Sequence, residues 1–102
     1  MSATVETWNG LSDAQVVARV LTGQTALFEV LMRRHNQRLY RTARAFVGDD
    51  RAEDVMEQTY LNAYARLRDY DATHRFATWL TRILVAECLA RLRQPNGPVT
   101  LS

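Results

Sequence analysis

Hydrophobic residues recur at three- and four-residue spacings in four runs along the chain, and no run alternates with period two over the length of a strand. In the first, Val16, Val17, Val20 and Leu21 follow Ser12 and Gln15, which stand at capping-box spacing, and the run stops at Gly23. A helix this short does not persist alone in water, so it must dock on something larger. The second run extends from Thr25 to Gly48, with Leu27, Phe28, Leu31, Met32, His35, Leu39, Ala43, Phe46 and Val47 on one stripe, and predicts a long amphipathic helix. Asp50 and Glu53 repeat the capping pattern, with acids where the helix dipole favours them, ahead of a third stripe of Val55, Met56, Thr59, Tyr60, Ala63, Tyr64 and Leu67. Residues 68–75, RDYDATHR, break the periodicity. It resumes at Phe76, Trp79, Leu80, Ile83 and Leu84 in a fourth helix, with Thr73 as its expected cap, running to about Arg93. The sequence Gln94-Pro95-Asn96-Gly97-Pro98 then stops it, because each proline disfavours helix at the residue before it. The expected fold class is all-α: a compact bundle of about four helices around one core.

This pattern divides the chain into a flexible N-terminus over residues 1–10, a helical domain over 11–94 and the start of a linker over 95–102. With 47% hydrophobic and 24% charged residues, the composition is that of an ordinary small globular domain. The single cysteine, Cys88, excludes an intramolecular disulfide and reads as a packing residue; a reducing cytoplasm fits best. No apolar run approaches the roughly 18 residues of a membrane span, so no membrane partner is expected. His35 and His74 have no partner at metal-ligand spacing, no glycine-rich phosphate loop exists, and the serines sit at caps or termini. No cofactor, metal or catalytic group is expected.

Charge adds a second pattern. Every basic residue is arginine, and five of them, with no acid, fall between Leu31 and Gly48. Seven acids against three arginines follow from Asp49 to Asp71, and four arginines against Glu87 lie between Ala72 and Gln94. Blocks of opposite sign on successive helices suit separate faces for separate partners, or helices that hold each other. Asp54, Glu57, Gln58, Asn62 and Arg66 make a polar face on the third helix, opposite Val55, Thr59 and Ala63. Tyr70 and His74 lie among Arg68, Asp69, Asp71 and Arg75, and Thr78, Arg82 and Ala86 share one side of the fourth helix. Aromatic rings among guanidinium groups suit single-stranded nucleic acid, since bases stack on the rings and phosphates meet the cations. Tyr70, Phe76 and Trp79 nevertheless read first as core, Trp79 foremost.

Taken in order, LSDAQVVARVLTGQTALFEVLMRRHNQRLY, AEDVMEQTYLNAYARL and RFATWLTRI resemble region 2 of an extracytoplasmic-function (ECF) sigma factor, the initiation subunit of bacterial RNA polymerase. The resemblance covers about four fifths of the chain. The family pattern is approximately Asp-Val-x-Gln-Glu-Thr-Phe-Leu in the third helix and Phe-x-Thr-Trp-Leu-x-x-Ile-Ala-x-Asn in the fourth. The resemblance implies a domain without catalysis that binds the clamp helices of the polymerase's largest subunit through Asp54, Glu57, Gln58 and Tyr60. It implies promoter DNA as the second partner, with an extruded base of the minus-ten non-template strand held by Arg68, Asp69, Tyr70, Asp71, His74 and Arg75. Thr78, Arg82 and Ala86 would contact upstream minus-ten positions and assist melting. An anti-sigma factor is a further possible partner. Here the family's Gln-Glu pair is Glu57-Gln58, its fourth-helix Asn is Ala86, and the second domain of a complete member, with its helix-turn-helix, is absent from these residues. Those departures motivate an alternative: a sigma-like module that binds a regulator without engaging DNA.

Overall fold

A computed structural model describes residues 10–93, and all regular structure among them is helical. The elements are α1 (Asp13–Leu21), a 3-10 turn (Thr25–Leu27), α2 (Phe28–Val47), α3 (Asp49–Ala65), a second 3-10 turn (Leu67–Asp69) and α4 (Phe76–Arg93). The all-α bundle of four helices is therefore as expected. The anticipated flexible N-terminus and linker fall mainly on residues 1–9 and 94–102, which lie outside the described residues.

The start of α1 is the capping box anticipated from Ser12 and Gln15. Ser12 Oγ accepts from the Gln15 backbone N–H at 3.1 Å, and Gln15 Oε1 accepts from the Ser12 N–H at 2.8 Å. The helix docks by burying Val16, Val17 and Val20. A second tether is polar: Asp13 Oδ1 accepts from Arg34 Nη1 at 3.0 Å, and Asp13 Oδ2 lies 2.9 Å from His35 Nε2 on α2. The hydrogen bond from His35 is the largest influence on the Asp13 carboxyl; burial opposes it, Arg34 reinforces it, and the net effect holds the group below its ordinary value. A carboxyl whose folded pKa is depressed contributes stability that is present above its unfolded value and is lost as pH falls through the folded one. The stability gap between the wild type and Asp13→Asn, read from urea midpoints, is expected to be constant near neutrality and to close below about pH 4. A gap unchanged down to pH 3 would contradict this tether.

One residue joins α2 to α3. Gly48 has φ 85° and ψ 168°, donates its N–H to the Arg44 carbonyl at 2.9 Å and accepts from the Ala52 N–H at 3.1 Å. It therefore ends one helix and begins the next, and the box anticipated from Asp50 and Glu53 does not form. No side chain caps α3, although Asp49 and Asp50 still occupy its first turn. The hairpin closes over Leu31, Leu39 and Val55, with Ala43, Ala52 and Ala63 fully buried where small side chains let helices approach. Thr59 is also fully buried, and its hydroxyl donates to the Val55 carbonyl at 2.7 Å, so no polar group is left orphaned there.

α4 lies across both helices. Phe76, Leu80, Ile83, Leu84 and Cys88 face inward, and burial pushes the Cys88 thiol up, away from thiolate reactivity. The Phe76 ring meets His35 at 5.5 Å, while Asn62 Nδ2 donates to Glu87 Oε1 at 3.3 Å. The first turn closes on the Arg75 carbonyl, which accepts from Thr78 and Trp79; Thr73, the anticipated cap, instead turns its hydroxyl to Asp71. Phe76 rather than Trp79 is the deeply buried aromatic, because α4 enters the core with its first residue and Trp79 lies at the edge of that contact. Phe46, in the last turn of α2, is exposed, and Tyr64 covers Phe28 from outside with its ring 5.2 Å away.

Candidate functional site

Two grooves on the bundle differ in their chemistry. The first, about 670 Å³, runs along α4. Thr78, Arg82 and Ala86, at steps of four residues, share this exposed side; Arg75 lies at its start and Arg38 reaches it from α2. No acid lines it. Among the described residues no carboxylate forms an ion pair with Arg38, Arg75 or Arg82. Three guanidiniums around one groove, with no counter-charge among the described residues that line it, suit a polyanion.

The loop before α4 is built by two of its own candidate residues. Asp71 Oδ1 accepts from both the backbone N–H and the hydroxyl of Thr73, at 3.0 and 2.9 Å, which makes an Asx turn and lowers the Asp71 carboxyl pKa. The Tyr70 hydroxyl donates to the His74 carbonyl, and its ring sits edge-on to Phe76 at 5.3 Å and tilted against Trp79 at 5.5 Å. Burial, with Asp13 and Asp71 nearby, raises the Tyr70 pKa. Tyr70 and Asp71 thus shape the loop, and Asp69, His74 and Arg75 are exposed on it. Arg68 does not line the α4 groove and lies instead beside Leu21 and Tyr64 in a separate pocket.

The second groove, about 700 Å³, lies between α2 and α3, with Met56 among its lining. Glu53, Glu57 and Tyr60 line it from α3; Asn36, Tyr40 and Arg41 line it from α2. The Tyr60 hydroxyl donates to Asn36 Oδ1 at 2.9 Å, bridging the two helices, and burial pushes the phenol up to about 12. The family pattern quoted above has Phe at this position, which could not make that bond. Asp54 is exposed on the outer side of α3, where Leu61, 59% exposed, shares its face with Glu57. Gln58 does not line this groove; it donates to Asn62 Oδ1 at 3.1 Å, and Asn62 in turn donates to Glu87 on α4. Of the four candidates on α3, Glu57 and Tyr60 therefore share a groove, Asp54 flanks it, and Gln58 belongs to the α3–α4 seam.

Sequence reasoning missed Arg38, Asn36 and Leu61. The arginine-rich block of α2 was visible, but its spacing alone did not say which of its members faces α4. No group of three histidine, cysteine or acidic residues that could hold a metal exists among the described residues, and no helix there is long and apolar enough to cross a membrane.

Residues 31–96 match the family model described as Sigma-70 region 2. The ECF RNA polymerase sigma factor SigM of Mycobacterium tuberculosis is 34% identical over 91 residues, covering 87% of this chain and 46% of that protein. The RNA polymerase sigma-H factor of Pseudomonas aeruginosa is 31% identical over 94 residues, covering 86% of this chain and 49% of that protein. The sigma factor CnrH of Cupriavidus metallidurans is 32% identical over 73 residues, covering 71% and 38% respectively. The chain thus spans about half the length, or less, of the curated relatives it matches. No solved structure matches it. With two thirds of its length accounted for by the family model and ECF sigma factors as its relatives, the chain belongs to the sigma-70 region 2 family, in its ECF branch.

Proposed function

We propose that the chain binds the clamp helices of the RNA polymerase largest subunit through the α2–α3 groove and engages the non-template strand of the minus-ten promoter element along α4, acting in transcription initiation in the cytoplasm. The observation that carries this reading is the acid-free groove of Arg75, Thr78 and Arg82, set on the helix that bears the family's Phe-x-Thr-Trp-Leu motif. Phosphates of a separated strand track the guanidiniums, and each contact neutralised releases counter-ions. A base extruded into the loop over residues 68–75 costs a few kcal/mol of unstacking, which a preformed loop and backbone contacts offset. The Asx turn at Asp71 and the Tyr70 strut supply that preformation. On the other side, Glu57 and Asp54 flank the apolar spot at Leu61, the kind of surface a basic amphipathic helix covers. The domain performs no chemistry in this account.

Calorimetry against an isolated clamp-helix fragment tests the polymerase half. Binding is expected, and Asp54→Ala or Glu57→Ala should each weaken it by about tenfold or more, since a hydrogen bond to a charged group is worth about 1.5–3 kcal/mol. A folded chain that ignores the fragment, or two variants with wild-type affinity, would remove the assignment of this face. Clamp binding without any dependence on DNA sequence would favour the regulator-binding alternative.

A further inference from the structure

On α2, the Arg38 guanidinium sits at the α4 groove while one of its nitrogens, Nη2, lies 2.9 Å from His35 Nδ1. A guanidinium can only donate, so His35 Nδ1 accepts, and the ring proton resides on Nε2, which donates to Asp13 Oδ2 at 2.9 Å. His35 is 7% exposed and packed against the Phe76 ring at an interplanar angle of 50°, so it can neither rotate freely nor exchange its partners for water. Asp13, at the start of α1, is itself fixed by Arg34 and by the docking of that helix. The chain of contacts Asp13–His35–Arg38 therefore runs from the most N-terminal helix, through the core, to the rim of the groove. Arg38 carries no carboxylate partner among the described residues that would consume its charge.

We propose that Arg38 is a phosphate-contacting residue of the α4 groove, opposite Arg82, and that His35 is the positioning residue that aims it, with Asp13 fixing the tautomer of His35. The ligand class is the sugar-phosphate backbone of a single strand, which Arg38 meets irrespective of base. A flexible arginine loses rotamer entropy when it grips a phosphate; one already hydrogen-bonded through one nitrogen loses less and keeps its remaining donors free. The proposal rests on the strand-binding reading above and adds α1 and α2 to a surface otherwise drawn from α4 and its preceding loop.

The test uses the full chain assembled on core polymerase, with core polymerase alone as blank, and follows fluorescence anisotropy of a labelled short oligothymidylate across a salt series. Arg38→Ala is expected to reduce the slope of log K against log salt by about 0.7, the increment for one phosphate contact on a single strand. Affinity at moderate salt should fall about fivefold to tenfold. His35→Leu, which keeps the packing on Phe76, should lower affinity while Arg38 is present and have no further effect in the Arg38→Ala background. His35→Asn, whose carbonyl oxygen stands near the position of Nδ1, should recover part of the loss. Wild-type affinity and slope for Arg38→Ala, with Arg82→Ala still weakening binding, would overturn the role of Arg38 alone. Additive losses from His35→Leu and Arg38→Ala would overturn the positioning role. No oligothymidylate binding above the blank by the wild type would overturn the strand-binding reading and this proposal with it.

Discussion

Leu84→Ala should destabilise the domain by about 2–5 kcal/mol, a large part of the stability a small domain has. Leu84 is fully buried on the inner side of α4, among Leu80, Ile83 and Cys88, and its removal leaves a cavity that neighbouring helix backbones cannot collapse into without unseating α4. The loss should appear as a lower urea midpoint at nearly unchanged denaturant slope, followed by circular dichroism. The functional consequence is indirect. Arg82, Val85 and Ala86 line the groove from the outer side of the same turns, so a loosened α4 would misplace the groove before the domain melts. A cost below about 1 kcal/mol would mean that α4 is not seated on the core as described.

Gly48→Ala should cost about 1–3 kcal/mol without any steric clash. Among the described residues no atom outside the adjoining backbone lies within 4 Å of where a Cβ would be, so packing is not the cause. The backbone is: φ 85° with ψ 168° is a region that residues with a side chain enter only under strain. Because Gly48 alone reverses the chain between α2 and α3, relief by local rearrangement would shift the pairing of the two helices and open the groove that Tyr60 and Asn36 bridge. A fall in melting temperature of about 4–8 °C for each kcal/mol lost is expected for a domain of this size. An unchanged melting temperature would show that the connection can adopt another geometry.

Gly48 also shows where a sequence is and is not legible. A glycine after a long apolar stripe reads correctly as a helix stop, but the acids that follow suggested a separate capping box, and only the three-dimensional hairpin reveals one residue serving both ends. Ser12 and Gln15 were read correctly because a capping box is local: its atoms come from four consecutive residues. The stripes located the core for the same reason, with Leu21, Phe46 and Tyr64 misjudged because each sits in the last turn of its helix. Phe76 and Trp79 share the α4 stripe, and which of them goes deepest depends on how α4 crosses its neighbours.

The candidate site was legible as motif and opaque as surface. Thr78, Arg82 and Ala86 share a side because helical spacing dictates it, and Arg75 joins them as the residue on which α4 starts. Glu57 and Gln58 looked like one polar face, yet adjacent helix positions diverge by about 100°, which sends Glu57 to the α2–α3 groove and Gln58 to Asn62. Relative to the family's Gln-Glu order, the carboxylate of this chain therefore faces the groove. The links from Asp13 to His35 and from Tyr60 to Asn36 join residues more than twenty positions apart, and no periodicity announces them.

The measurement that bears hardest on the proposed function is a selection of single strands from a randomised pool by the full chain assembled on core polymerase, read by sequencing against core polymerase alone. Enrichment of a short motif, lost with Arg82→Ala while clamp binding persists, is the outcome this structure leads to. A pool left indistinguishable from that retained by core polymerase, with the chain demonstrably bound, would contradict promoter recognition and leave a polymerase-binding or regulator-binding module in its place.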